Sequence, residues 1–305
     1  MTDPKQIPYL VSLLDDPSFS VRETVTKELM AFGPLLKDEL TKERLTLNSV
    51  QQKSLEYIWE VYKKGQLKQS WSEWLKLPVV KEDLLADYRR LESALSILSQ
   101  FLNNFHCDAQ LKELLDQLAW EFGEEFKKGD AKCLAKFLFK EKGLMGDEKK
   151  YYNSQNSNLV CVIQERKGVP ISLTAVLMLV ASRLGIRIEG CHFPGHFLAR
   201  IELDGKKVFM DCLNGGQIVS ERKLASVQKG SIGGIKKILY EKTDIDGIVR
   251  AFLANLIRSY QMKEDREGAE LLIGLFNELD MYLDNKEIAE ASPEDIVGDI
   301  EPPFP

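Results

Sequence analysis

The run Pro170-Ile171-Ser172-Leu173-Thr174-Ala175-Val176-Leu177-Met178-Leu179-Val180 decides how this chain folds. It has the length of a helix but no polar face, so as a helix it must be covered on every side. Pro170 and Ser172 suit a first helical turn, and Leu184-Gly185 supplies a left-handed stop. The sequence then alternates in the manner of strands, over Ile186 to Cys191, Phe197 to Leu203 and Lys206 to Asp211. Asp204-Gly205 between the last two is a strong signal for a two-residue hairpin. A buried helix, a strand and a hairpin make an α+β core.

The hairpin register can be worked out by hand. With Leu203 opposite Lys206, paired numbers sum to a constant, and Asp211 falls opposite Leu198. One face then holds Phe197, Ala199, Ile201, Val208, Met210 and Cys212 as core. The other holds His196, Leu198, Phe209, Asp211 and Leu213, making His196 and Asp211 diagonal neighbours. An Asp beside a His fixes the imidazole tautomer and stabilises its cation, as a general base requires. The competing reading gives Asp211 to the Asn214-Gly215-Gly216 turn through an Asx-type bond.

Outward from this core the chain is helical. Ile7–Leu14 and Val21–Met30 read as a pair, with Ser20 as a cap and Gly33-Pro34 as a stop. Its Leu13-Leu14-Asp15-Asp16-Pro17 turn, followed by Val21-Arg22, resembles a HEAT-type repeat, though no second copy follows. A third helix is expected over Ser49–Lys64, with Trp71 and Trp74 beyond it. Three helical blocks follow from Leu84, the last from Ala131 to about Lys140. His106-Cys107 falls in a turn between them. A short helix over Leu159–Arg166 precedes the apolar one. Beyond the Gly-rich stretch 229–237, two stripes, Phe252 to Tyr260 and Ala269 to Phe276, resemble one tetratricopeptide unit. The acidic, Pro-rich end from Glu287 is expected to be disordered. These boundaries imply a helical region at 1–78, a core domain at 79–240, a helix pair at 241–286 and a tail at 287–305.

Composition narrows the function classes. The 305 residues carry a formal charge of −6, which opposes non-specific nucleic-acid binding. No apolar run is long enough to span a bilayer, and the N-terminus lacks the pattern of a secretory signal. Five cysteines without a C-x-x-C pair suggest reduced thiols and a cytoplasmic setting. Cys191, His192, His196 and Asp211 are metal-ligand types, but their spacing across Pro194-Gly195 is not that of a metal motif, and no metal or cofactor is expected.

Four motifs in order carry a resemblance: Tyr151-Tyr152-Asn153 with Asn156-Ser157, Glu165 to Leu173, Phe193-Pro194-Gly195-His196, and Asp211-Cys212-Leu213-Asn214-Gly215-Gly216. Together they resemble the SirB-type transglutaminase-like family, which has a relative in a eukaryotic F-box protein. The resemblance implies a transglutaminase-like, papain-like core. It also implies a triad in which His196 and Asp211 match two members while Pro170 stands where active transglutaminases carry the thiol of their Gly-x-Cys motif. Ser172 is the nearest hydroxyl, as a nucleophile or as a helix cap. Cys161, Cys191 and Cys212 are the other nucleophile candidates near it. Two readings follow: a catalytically silent module that binds a protein or peptide, or an acyl-transferase or hydrolase using Ser172, His196 and Asp211. A regulatory role in gene expression would act through proteins.

Either reading needs the apolar helix as core. Leu177→Asp or Val180→Asp is expected to unfold the central domain, since an unpaired buried charge costs several kcal/mol against a total of about 5–15. A cooperative thermal melt close to wild type would contradict it.

Overall fold

The computed structural model describes residues 3–33, 35–43, 45–78, 83–103, 110–147, 149–193, 196–203, 205–228, 238–240 and 243–290. His106-Cys107, Pro194-Gly195, the stretch 229–237 and the tail from 291 lie outside them. The chain divides into two compact units, one of Met1–Ser72 with Ile97–Ala109 and one of Glu73–Ser96 with Gln110–Pro305.

The first unit is helical: α1 (Ile7–Ser12), α2 (Phe19–Ala31), α3 (Leu35–Glu43) and the greater part of α4 (Ser49–Leu75). Ile7, Leu10, Leu14, Val25, Leu29 and Ile58 form its core. Ser18 rather than Ser20 precedes α2, because Asp16 Oδ1 takes the Ser18 amide and sets the turn two residues earlier. Asn48 opens α4, accepting from the amides of Val50 and Gln51 at 2.9 Å. Its side chain donates to Asp15 at 2.7 Å, tying the first turn to the fourth helix. Helix α4 does not stop at Lys64. It runs on through Trp71 and Trp74, both fully buried, because Gly65 faces open space and costs the helix only its conformational freedom.

The second unit is the α+β core. Its helices are α5 (Leu84–Leu102, to Ser96), α6 (Gln110–Glu125), α7 (Ala131–Lys136), α8 (Leu159–Glu165), α9 (Pro170–Arg183), α10 (Glu221–Gln228), α11 (Ile245–Met262) and α12 (Arg266–Glu290). After α7 one turn widens, with the Lys142 amide donating to the Phe137 carbonyl at 2.8 Å, which buries Phe137, Leu138 and Phe139 in succession. Helix α8 ends at Glu165, one residue before the expected stop, with Arg166 left-handed at φ 61°. Lys167–Gly168 (β2) then pairs in parallel with Met145–Gly146 (β1). Helix α12 continues to Glu290, past the Glu287 at which the tail was expected to begin.

The main sheet runs in the order β3 (Ile188–Phe193), β4 (His196–Leu203), β5 (Lys206–Asp211), β6 (Gln217–Val219), all antiparallel. The β4–β5 register follows the hand-drawn one from Leu203–Lys206 to Ala199–Met210. Helix α9 lies against β3 and β4 and is flanked by α6, α7, α8 and α11. Every residue from Pro170 to Ala181 is buried. The opposite face of the sheet is not open. Cys191, Phe193, Leu198 and Phe209 join Val219, Leu224 and Leu239 in a second core.

Two buried polar contacts hold α5 in place, one to this sheet and one to α11. The Tyr88 hydroxyl donates to the Ile188 carbonyl at 2.6 Å, and burial pushes its phenol up to about 12, keeping it a donor. Arg90 donates through Nε to Asp246 at 2.8 Å and through Nη1 to the Trp74 and Leu77 carbonyls, with its guanidinium over the Trp74 ring. Both side chains of the pair are nearly solvent-free, at 6% and 4% exposure. Truncating one leaves the other charge buried, so Asp246→Ala should lower unfolding free energy by about 3–5 kcal/mol in a urea titration. Lys112→Ala, which removes an exposed pair, should leave the midpoint in place. Equal midpoints for both variants would contradict this account.

Candidate functional site

The N-terminus of α9, itself buried, forms one wall of a cleft beside β3 and β4. The cleft has a volume of about 190 Å³ and is walled by Pro170, Ile171, Phe193, Phe197 and Ala251. Tyr151, His192, His196 and Asn255 supply its polar groups. His196 is half-buried, and its Nδ1 atom is shielded from water with no hydrogen-bond partner. His192 is exposed and stands edge-on to Phe197, 6.3 Å between ring centroids. The Asn255 amide donates one hydrogen to the Ala251 carbonyl at 3.0 Å.

Ser172 is not part of this lining. It is fully buried, and its hydroxyl is committed to the helix start. Oγ accepts from the Val169 amide at 3.0 Å and is positioned to donate to the Asn156 carbonyl at 2.6 Å or the Val169 carbonyl at 3.0 Å. This satisfies a backbone amide that α9 itself cannot. Asn156, which carries the accepting carbonyl, is held in turn by its side chain donating to the Lys150 carbonyl at 2.7 Å. Gly168 is required beside this cap, where an added Cβ would meet Ser172 Oγ at 2.7 Å.

His196 and Asp211 share a face in the register, but no hydrogen bond joins them. The Asp211 carboxylate accepts from the Asn214 side chain at 2.7 Å and the Asn214 amide at 3.3 Å, while its carbonyl takes the Gly216 amide. The turn-forming alternative is therefore the geometry observed. Gly216 sits at φ 74°, and a Cβ there would come within 2.8 Å of the Phe139 ring, so this turn is tightly seated.

The described thiols near the core are poor nucleophiles. Burial pushes Cys191 up to about 11, the Arg200 charge opposing it. Burial likewise pushes Cys212 up to about 12, and the Asp211 charge adds to the effect. Both stay protonated at neutral pH, whereas attack needs the thiolate. No group of three or more His, Cys, Asp and Glu positioned to hold a metal occurs among the described residues. Nor is any described helix long and apolar enough to cross a membrane.

Sequence reasoning identified His196 and Pro170 but missed His192 as a cleft residue and passed over Asn255, which comes from a helix far along the chain. Tyr151 belonged to a quoted motif, and that was its only signal.

Residues 106–253 match the model of the transglutaminase-like superfamily. A UPF0162 protein of Xylella fastidiosa is 39% identical over 99 residues, covering 32% of this chain and 35% of that protein. One from Vibrio cholerae is 29% identical over 147 residues, covering 47% and 54%. F-box only protein 21 of Mus musculus is 36% identical over 63 residues, covering 21% of this chain and 10% of that one. The chain thus spans between about a third and a half of the UPF0162 proteins it matches. No solved structure matches it.

If Asp211 serves the turn, Asp211→Ala should shift the amide resonances of Asn214, Gly215 and Gly216 and leave the His196 ring resonances in place. Displaced His196 resonances with unmoved turn amides would restore the dyad.

Proposed function

We propose that this protein is a non-catalytic binding module built on a transglutaminase-like core, using the cleft at the α9 N-terminus to hold a protein or peptide. The observation that carries the reading is Pro170. It lines the cleft with His196 at the first position of α9, where the resemblance puts a thiol. A helix N-terminus favours a thiolate or an oxyanion, but proline offers neither a nucleophile nor a backbone donor. No thiol or aliphatic hydroxyl lines the cleft among the described residues.

The alternative, acyl transfer or hydrolysis from Ser172 with His196 as base and Asp211 as orienting acid, meets three obstacles. Ser172 would have to give up its capping bonds, reach a cleft it does not line, and meet a histidine whose Nδ1 touches no acid. The HEAT-like and tetratricopeptide-like helix pairs toward the chain's two ends fit an interaction role, as does a cytoplasmic setting with reduced thiols.

The test is turnover. The full chain, offered a glutamine-containing protein with a fluorescent amine and, separately, p-nitrophenyl esters, should show no activity above a His196→Ala control. Fluorophosphonate should leave Ser172 unlabelled. Native iodoacetamide labelling at pH 8 should spare Cys191 and Cys212 and reach the half-buried Cys133 and Cys161. His196-dependent turnover, or label on Ser172, would overturn the proposal.

A further inference from the structure

The cleft's polar inventory is lopsided. Tyr151, His192, His196 and Asn255 face it, with no Asp, Glu, Lys or Arg in the lining among the described residues. None of these four side chains hydrogen-bonds to another, and among the described residues the Asn255 bond to Ala251 is the one side-chain bond they make, with His196 Nδ1 unpartnered. Tyr88, Arg200, Asn156 and Ser172, elsewhere in the core, are by contrast each bonded.

His196 settles which kind of group the cleft receives. A buried N–H without an acceptor is rarer and costlier than a bare ring lone pair. The shielded, unpartnered Nδ1 therefore carries the lone pair, and the proton sits on Nε2. The ring is then a donor at its other nitrogen. The Tyr151 hydroxyl and the second Asn255 amide hydrogen are donors as well. The positive end of α9, at Pro170 and Ile171, lies in the same lining. Phe193, Phe197 and Pro170 form an apolar wall next to these donors.

From this arrangement we infer that the cleft binds a carboxylate carried on an apolar group, such as a peptide's C-terminus ending in an apolar residue or a free apolar carboxylic acid. The inference rests on the reading of the cleft as a binding site. No fixed anion lines the cleft among the described residues, so an ammonium or guanidinium group gains no ion pair there. A carboxylate offers two acceptor oxygens to donors that otherwise have no partner among the described residues.

The experiment is calorimetric titration of the full chain with four probes: N-acetyl-phenylalanine, its amide, and a hexapeptide ending in phenylalanine as the free acid or the amide. Each acid should bind at least about ten-fold more tightly than its amide, the difference one charge-assisted bond supplies. Asn255→Asp, which sets a like charge on the cleft wall, and His196→Ala should each cut acid binding by a similar factor while circular dichroism stays native. A hexapeptide acid much tighter than N-acetyl-phenylalanine identifies a peptide terminus, and equal affinities identify a small acid. Amides binding as well as acids, no acid binding at millimolar concentration, or indifference to both variants overturns the inference. Those results in a protein without turnover leave the non-catalytic reading standing, whereas His196-dependent turnover strikes that reading whichever probe binds.

Discussion

A helix with no polar face governs the second unit. Twelve of the fourteen residues of α9 are buried, so neighbours must be found all around it. The sheet covers it through β3 and β4, while α6, α7, α8 and α11 close the other sides. Such a helix also cannot leave its first amides to water. The Ser172 cap, the Asn156 carbonyl and the absence of a Cβ at Gly168 are consequences of burying that end. The cleft lies where this sheath gives way, at Pro170 and Ile171.

Much of this arrangement is legible in the sequence because its signals are local. The apolar run, Leu184-Gly185 and the Asp204-Gly205 hairpin each declare an element, and the hairpin arithmetic gives the right partners as far as Ala199–Met210. Parity says which residues share a face, but not what covers that face. Leu198 and Phe209 share theirs with Val219, Leu224 and Leu239, which arrive from later segments with no periodic link to the hairpin. That second core occupies the side on which an open His–Asp dyad was expected. The two roles of Ser172 likewise could not be separated by residue type, since a cap and a nucleophile look the same until the hydroxyl's partners are known. The widened turn at Phe137–Glu141 has no sequence mark that separates it from an ordinary helix end.

The cleft sets two demands against each other. Elsewhere in this core Tyr88, Asn156, Ser172 and Arg200 spend their polar groups on internal bonds, which adds rigidity. At the cleft the core leaves such groups unspent, which costs stability and reserves them for something brought from outside. His196 shows this most plainly, since the side chain that a triad would bond on two sides is here bonded on neither by Ser172 or Asp211.

The Arg90–Asp246 pair carries a consequence for the order of events during synthesis. The partners are 156 residues apart, and Trp74, Leu77 and Tyr282 surround the same guanidinium from other segments. Until the ribosome has released residue 246, Arg90 has no carboxylate to take it out of water, and α5 cannot settle into its buried seat without stranding a charge. The apolar helix and the hairpin, lying between, emerge first and associate over far shorter loops. The nascent chain therefore assembles the centre of this unit before it can fasten α5.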